Sequence, residues 1–119
     1  EGTPWLEVNP NYLVINAEEN TKNENSIYNY YKKLISLRKK YPVFVHGDYR
    51  EHYARSNKLA YYERNYKGKK LLVICNFSSK RLNFKSIYDL KKFKLLLNNY
   101  QEDFDGLLPY QAKIYLGEY

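Results

Sequence analysis

The chain has 119 residues, a net charge of +7 and 44% hydrophobic residues, with 15 tyrosines among them. That length is enough for one domain and some additional chain. No apolar run approaches the roughly 18 residues that a membrane-spanning helix needs, and no secretory signal pattern is visible. We therefore expect a cytoplasmic protein with no membrane partner. The single cysteine, Cys75, excludes an internal disulfide and a multi-cysteine metal site.

The positive charge is distributed along the chain. It comes mainly from short groups of lysines, and acidic residues are interspersed between them. A pI near 9.3 raises the question of nucleic-acid binding, but the sequence contains no helix-turn-helix, zinc-finger or RNA-recognition pattern. A solvated basic surface is the favoured interpretation, so no nucleic-acid partner is predicted.

Residues 1–24 are predicted to be mostly loop. Pro4 and Pro10 each move the preceding residue out of the helical region. The polar stretch that follows is compatible with a short helical turn near residues 17–20. The chain contains no methionine, so we expect it to be part of a longer protein.

The clearest element is an amphipathic helix over residues 26–40. Asn25 or Ser26 provides its N-cap, and Pro42 ends it. Lysines occupy one face, and a basic group at the C-terminal end suits the helix dipole. The other face carries apolar residues at helical spacing, namely Ile27, Tyr30, Tyr31, Leu34, Leu37 and Tyr41. Such a helix needs a surface to pack on, so it is predicted to be the last element of one domain, joined to another.

Everything after Pro42 is predicted to be β structure. Residues 71–77 form a continuous apolar run, which is typical of a central strand buried on both faces. Other strands are predicted at residues 43–46, 49–53, 59–66, 81–84, 93–97 and 110–116. Short, regular strands separated by turns favour an antiparallel β-sandwich over residues 43–119. Residues 86–92 suit a loop or one helical turn. The predicted core contains Leu72, Ile74, Ala112 and Ile114.

Few side chains suggest chemistry. His46 and His52 lie near the Gly47-Asp48 turn, but two histidines with no third ligand are weak evidence for a metal site. Asp103 and Asp105 flank Phe104, where a calcium loop would need more oxygen ligands, so a turn is predicted. No catalytic residue, metal site or cofactor is predicted.

Two further features have structural interpretations. Cys75 lies in an apolar run, which favours a small buried hydrophobe over a reactive thiol. Asn76 begins a glycosylation sequon, but it stands at the end of the most buried-looking strand.

Trp5 is the only tryptophan, and two interpretations of it are equally open. With Tyr12 and the nearby Asn9 and Asn11 it could form a platform on which a sugar stacks. Alternatively, it anchors its loop against structure outside the chain.

Five segments in this order resemble the C-terminal end of an α-glucosidase of the α-amylase superfamily, of the oligo-1,6-glucosidase type. That group also includes trehalose-6-phosphate hydrolases, dextran glucosidases and sucrose isomerases. The resemblance covers nearly the whole chain, and its first two segments are the most specific. The segments are GTPWLEVNPNY at residues 2–12, NSIYNYYKKLISLR at residues 25–38, Tyr49, LLVICNFS at residues 71–78 and LPYQA at residues 108–112.

The resemblance implies an architecture of a (β/α)8 barrel, an inserted loop domain and a C-terminal antiparallel β-sandwich. Residues 1–42 would be a loop and the last helix of the barrel, and residues 43–119 would be the sandwich. Trp5 and residues 9–12 match a loop near the mouth of the active site.

The resemblance also implies a reaction. The family hydrolyses glycosidic bonds with retention, using an Asp nucleophile, a Glu acid–base and a second Asp. These residues lie at the C-terminal ends of barrel strands, and no position here matches their motifs. The expectation is therefore a non-catalytic fragment, inactive alone, whose partner is its own catalytic barrel and which meets the oligosaccharide substrate only through the parent enzyme. Self-association through residues 27–41 is expected when the barrel is absent. The alternatives are a stand-alone carbohydrate-binding sandwich and, less favoured, a basic nucleic-acid binder.

Overall fold

The computed structural model describes residues 2–3, 5–101 and 106–119. The chain divides into two compact units, Glu1–Ser36 and Leu37–Tyr119. This division falls inside the helix Ile27–Lys40. The domain boundary that the sequence places after residue 42 stays a prediction. The turn predicted at Asp103 and Asp105 lies outside the described residues.

Asparagine side chains organise the beginning of the N-terminal unit. Asn9 Oδ1 accepts a hydrogen bond from the Asn11 amide at 3.1 Å and caps a 3-10 turn at Pro10–Leu13. Asn16 Oδ1 accepts from the Glu19 amide at 2.9 Å and caps helix α1, Ala17–Lys22. The predicted helical turn near residues 17–20 is thus confirmed, and it is longer than expected.

Helix α2 spans Ile27–Lys40, in agreement with the prediction. Ser26 is the capping residue, because its Oγ accepts from the Asn29 amide at 3.2 Å. The basic group Arg38, Lys39 and Lys40 occupies the last turn, where positive charge is favoured by the helix dipole.

The segment Val43–His46 forms a short helix, α3, and its prediction as a strand is wrong. The valines favour a strand by propensity, but Pro42 has φ −56° and ψ −23°, a helical conformation in which its ring is already set to begin a turn. The carbonyl of Pro42 accepts from the Val45 amide at 2.9 Å. Val43 is buried, so packing of this side chain outweighs its intrinsic preference.

The strands of the described residues form one five-stranded antiparallel sheet in the order β1-β2-β3-β5-β4. Strand β3 is the central one and is buried from Lys70 to Ile74, as predicted for the apolar run. The mainly antiparallel β fold is therefore confirmed. The strands are β1 Arg50–His52, β2 Leu59–Tyr66, β3 Lys69–Asn76, β4 Lys94–Asn98 and β5 Ala112–Glu118.

A long irregular segment, residues 77–93, covers one face of this sheet. The strand predicted at residues 81–84 is wrong, since only Leu82 forms a bridge, with Leu107. Leu82 and Phe84 nevertheless pack against the core. The alternating pattern of residues 81–84 therefore reflects the burial of every second side chain and not pairing with a neighbouring strand. A 3-10 turn at Leu90–Lys92 provides the helical turn allowed for residues 86–92. In the described residues this segment, and not a second multi-stranded sheet, forms the opposing layer.

The main core lies between the sheet and residues 77–93. Three of the four predicted core residues are confirmed as buried: Leu72, Ile74 and Ile114. Ala112 is only half-buried because it occupies the first position of β5, paired with Cys75 near the end of β3. The buried core cluster consists of Tyr61, Leu72, Ile74, Leu107 and Tyr115.

Candidate functional site

A buried charged group lies on the covered face of the sheet and is here named the Glu63 cluster; it consists of Glu63, Lys70, His52 and Tyr88. Lys70 Nζ lies 3.1 Å from Glu63 Oε1, and His52 Nε2 lies 3.1 Å from Glu63 Oε2. The Tyr88 hydroxyl donates to Glu63 Oε2 and accepts from Lys70 Nζ at 3.2 Å. The Glu63 side chain is only 3% exposed. The cluster therefore joins β1, β2, β3 and the covering segment.

Electrostatics keep Glu63 ionised. Burial alone would raise the pKa of the Glu63 carboxyl, but hydrogen bonds from Tyr88, His52, Asn65 and Lys70 outweigh burial and lower the pKa to about 2. Burial alone would lower the pKa of Lys70, and its hydrogen bonds to Tyr88 and Glu63 raise it instead. Both groups are thus charged at neutral pH and form a buried ion pair.

This arrangement suits a structural role. A carboxylate nucleophile or general acid needs an open approach to its substrate and a pKa near the working pH. Both oxygens of Glu63 are occupied by donors inside the fold, and its pKa of about 2 keeps it deprotonated. We therefore assign the Glu63 cluster a role in stability.

The Glu63–Lys70 pair within the cluster could have been found in the sequence from the turn before β3. Lys67 and Gly68 have φ values of +46° and +75°, and a two-residue turn of this kind fixes the register of the hairpin. Asn65 then lies opposite Lys70 and Glu63 opposite Leu72. The diagonal pair Glu63 and Lys70 follows from that register.

The residues that the sequence singled out as metal candidates are separated in the fold. His52 contacts Glu63, whereas the His46 ring packs 5.5 Å from the ring of Tyr66. Asp48 Oδ1 accepts from the Asn65 amide at 2.7 Å. In the part of the chain that the structure describes, no three His, Cys, Asp or Glu side chains are grouped in a way that could hold a metal ion.

Asn76 and Cys75 also have structural roles. The Asn76 side-chain amide donates to the carbonyls of Lys80 and Leu108, each at 2.8 Å, and its Oδ1 accepts from Ser78. In the folded chain, this buried nitrogen has both protons engaged and is not accessible to a glycosyltransferase. Cys75 is half-buried, and burial raises the pKa of its thiol, which makes it less reactive.

No helix among the described residues has the length and apolarity to span a bilayer.

The N-terminal unit exposes many apolar side chains, here named the N-terminal apolar surface. Trp5 is 93% exposed and Ile27 is 75% exposed. Helix α2 contains no buried residue. Asn9 Oδ1 serves as a cap, and the sugar platform of Trp5, Tyr12, Asn9 and Asn11 stays a prediction. The surface consists of Trp5, Leu6, Val8, Tyr12, Leu13, Val14, Ile15, Ile27, Tyr28, Tyr31 and Ile35. Isolated exposed apolar residues are ordinary, whereas this small unit exposes most of its large apolar side chains.

Comparison with known proteins gives consistent matches. Residues 1–47 match the model of the α-amylase catalytic domain. The oligo-1,6-glucosidase of Halalkalibacterium halodurans is 43% identical over 99% of this chain and 22% of its own length. The chain therefore spans about a fifth of the length of such curated relatives.

Solved structures also match nearly the whole of this chain and about a fifth of their own length. The trehalose-6-phosphate hydrolase of Bacillus licheniformis superposes with a TM-score of 0.80 and 37% identity, covering 98% of this chain and 23% of that one. The isomaltulose synthase of Klebsiella sp. LX3 gives a TM-score of 0.84 and 31% identity over 97% of this chain and 22% of that one. By sequence and by structure, the chain belongs to the α-amylase superfamily and is of the oligo-1,6-glucosidase type.

Proposed function

We propose that the chain is the C-terminal, non-catalytic part of a retaining glycoside hydrolase that acts on α-glucosidic bonds of oligosaccharides. One observation carries the proposal: the match to the catalytic-domain model ends at residue 47, whereas the match to oligo-1,6-glucosidases continues over nearly the whole chain. Residues 1–42 then belong to the catalytic barrel as a loop and its last helix, and residues 43–119 form the sheet domain that follows.

The partner in this proposal is the remainder of the catalytic barrel. The N-terminal apolar surface lies in residues that match the catalytic-domain model, so the rest of that domain is the occupant that would cover it. The sheet domain stabilises the barrel, and the oligosaccharide contacts the parent enzyme and not this segment alone. A cytoplasmic location stays a prediction.

An activity assay tests the first part of the proposal. Catalysis by this family needs the nucleophile, the acid–base residue and a shaped pocket, and loss of the nucleophile alone lowers rates by orders of magnitude. The purified chain should not hydrolyse 4-nitrophenyl α-glucoside. Turnover that follows the chain through repeated purification would contradict the proposal. A mobility shift in gels containing soluble starch would instead support the carbohydrate-binding alternative, and we expect no shift.

Reconstitution tests the partner. The upstream part of the parent enzyme should bind the chain when the two are mixed, and α-glucosidase activity should appear. Ile27→Asp should weaken this binding because it places a charge on the N-terminal apolar surface. Ile87→Asp is a matched control, since Ile87 is also exposed but lies outside that surface. Equal binding by both variants would show that the surface is not the interface.

A further inference from the structure

The connection between helix α2 and the sheet contains a close contact that the proposed function does not explain. Helix α3 and Gly47 follow α2, and the match to the catalytic-domain model ends at residue 47. The contacts described below lie within the unit Leu37–Tyr119. The residues where the catalytic-domain match ends, α3 and Gly47, are thus held on the sheet by side chains of the same unit.

Arg64 makes most of these contacts. Its guanidinium Nη1 donates to the carbonyl of Phe44, Nη2 donates to the carbonyl of Gly47 at 2.6 Å, and Nε donates to the carbonyl of Asp48 at 3.1 Å. The last carbonyls of a helix, such as that of Phe44, have no partner within the helix, and the carbonyls of Gly47 and Asp48 follow just after its end. The planar guanidinium holds several donors in fixed directions and can satisfy several such carbonyls at once.

The other end of Arg64 is firmly held. Arg64 lies in β2 and is paired with Leu71 of the central strand, which is buried. The adjacent Asn65 adds a second link, because its amide donates to Asp48 Oδ1 at 2.7 Å and its carbonyl accepts from the Asp48 amide at 3.1 Å. The connection is therefore fixed to a strand that has hydrogen-bonded neighbours on both sides.

Gly47 is required by the closeness of this contact. A Cβ atom added at Gly47 would lie 2.6 Å from the carbonyl oxygen of Val43 and 2.9 Å from Cβ of Arg64. The φ of Gly47 is −64°, so the requirement is one of space and not of backbone conformation. Val43, buried in the same turn, adds an apolar contact to the polar ones.

We propose that Arg64 is a positioning residue that fixes the connection between the two proposed domains, residues 41–48, on the sheet. The inference rests on the proposed function for the identity of the two domains, but the contact itself belongs to this chain. The donors of Arg64 are engaged by backbone carbonyls, so the residue acts on the backbone of the connection and not on a ligand.

Hydrogen exchange of the intact chain, followed residue by residue by NMR, tests the proposal. In Arg64→Ala, amides of residues 41–48 should exchange about tenfold faster or more, because several hydrogen bonds to one short segment are lost together. Amides of residues 71–74 in β3 should stay within about twofold of the original chain. Arg64→Lys should restore protection only in part, since an ammonium lacks the fork that reaches three carbonyls. Arg55→Ala, at an exposed arginine, is the control and should change neither segment.

Two outcomes would overturn the proposal. If Arg64→Ala leaves residues 41–48 as protected as before, the arginine does not hold them. If exchange in residues 71–74 rises as much as in residues 41–48, Arg64 supports the whole sheet and has no particular role at the connection. Neither outcome depends on reconstitution with the upstream part, so a failure of the proposed function is separable from a failure of this inference.

Discussion

The two units of the chain differ in what covers their apolar side chains. The sheet unit buries Tyr61, Leu72 and Ile74 completely. It also buries the Glu63 cluster. The N-terminal unit has most of its large apolar side chains exposed, and α2 buries none. A helix of this length is marginal in water without a packing surface. The sheet unit therefore carries its own core, whereas the N-terminal unit leaves most of its large apolar side chains exposed.

The largest expected effect is in the core. Ile74→Ala should lower the free energy of unfolding by about 2–5 kcal/mol, because it removes methyl groups from a fully buried site and leaves a cavity. Urea denaturation of the chain measures this. Ile35→Ala, on the exposed face of α2, is the control and should cost less than about 0.5 kcal/mol. Similar losses in both variants would contradict the difference between the two units.

The Glu63 cluster should respond next most strongly. Glu63→Gln leaves the buried Lys70 without its counter-ion and should cost about 3 kcal/mol at neutral pH. Thermal and urea unfolding measure the change. Glu118→Gln is the control, since Glu118 pairs with Lys69 at the surface, where water screens the ion pair and its loss should have a much smaller effect. Equal effects would show that burial adds nothing to the Glu63 pair.

The same cluster should make stability depend on pH. The pKa of Glu63 is lowered in the folded chain to about 2 from its usual 4.5. Its contribution is therefore complete above about pH 4.5 and is lost as the pH falls towards 2. Unfolding free energies measured from pH 6 to pH 2 should fall more steeply for the original chain than for Glu63→Gln. Parallel curves would mean that Glu63 is not the group responsible.

Removing one hydroxyl from the cluster should have a smaller effect. Tyr88→Phe keeps the ring against the core but deletes the donor to Glu63, and a hydrogen bond to a charged group contributes about 1.5–3 kcal/mol. Because Tyr88 lies in the irregular covering segment, trypsin should also cleave faster after Lys85 and Lys91. Limited proteolysis followed by mass spectrometry checks this. Unchanged cleavage would show that other contacts hold the segment.

The smallest expected effect is self-association through residues 27–41. Exposed apolar patches of several hundred Å² favour association. Sedimentation equilibrium should show weak association of the intact chain at high concentration and a monomer for a version that starts at Val43. Monomers in both cases, with equal stability, would show that the helix is neither an interface nor a stabilising element.

Local patterns were sufficient for much of the fold. The apolar stripe before Pro42 predicted α2 because helical periodicity is a local property, and the β-rich run gave the bounds of β2 correctly. The apolar run at residues 71–77 predicted a strand buried on both faces, and β3 is central.

The remaining features depend on contacts between distant residues. Val43–His46 became a helix because Val43 is buried and Arg64, about twenty positions later, caps its carbonyls. Residues 81–84 alternate like a strand, yet only Leu82 has a backbone partner. Tyr88 is hydrogen-bonded to Glu63, 25 positions earlier in the chain. No local sequence pattern predicts a contact between residues so far apart in the chain.

Hydrogen exchange of the whole chain, with and without the upstream part of the parent enzyme, tests the contrast between the units most directly. In the chain alone, amides of β2, β3 and β5 should be strongly protected, and amides of α1 and of residues 27–36 should exchange rapidly. Addition of the upstream part should slow exchange in residues 27–36 and leave the sheet unchanged. Strong protection of residues 27–36 in the monomeric chain alone would contradict the account, because it would show that the N-terminal unit needs no surface beyond its own.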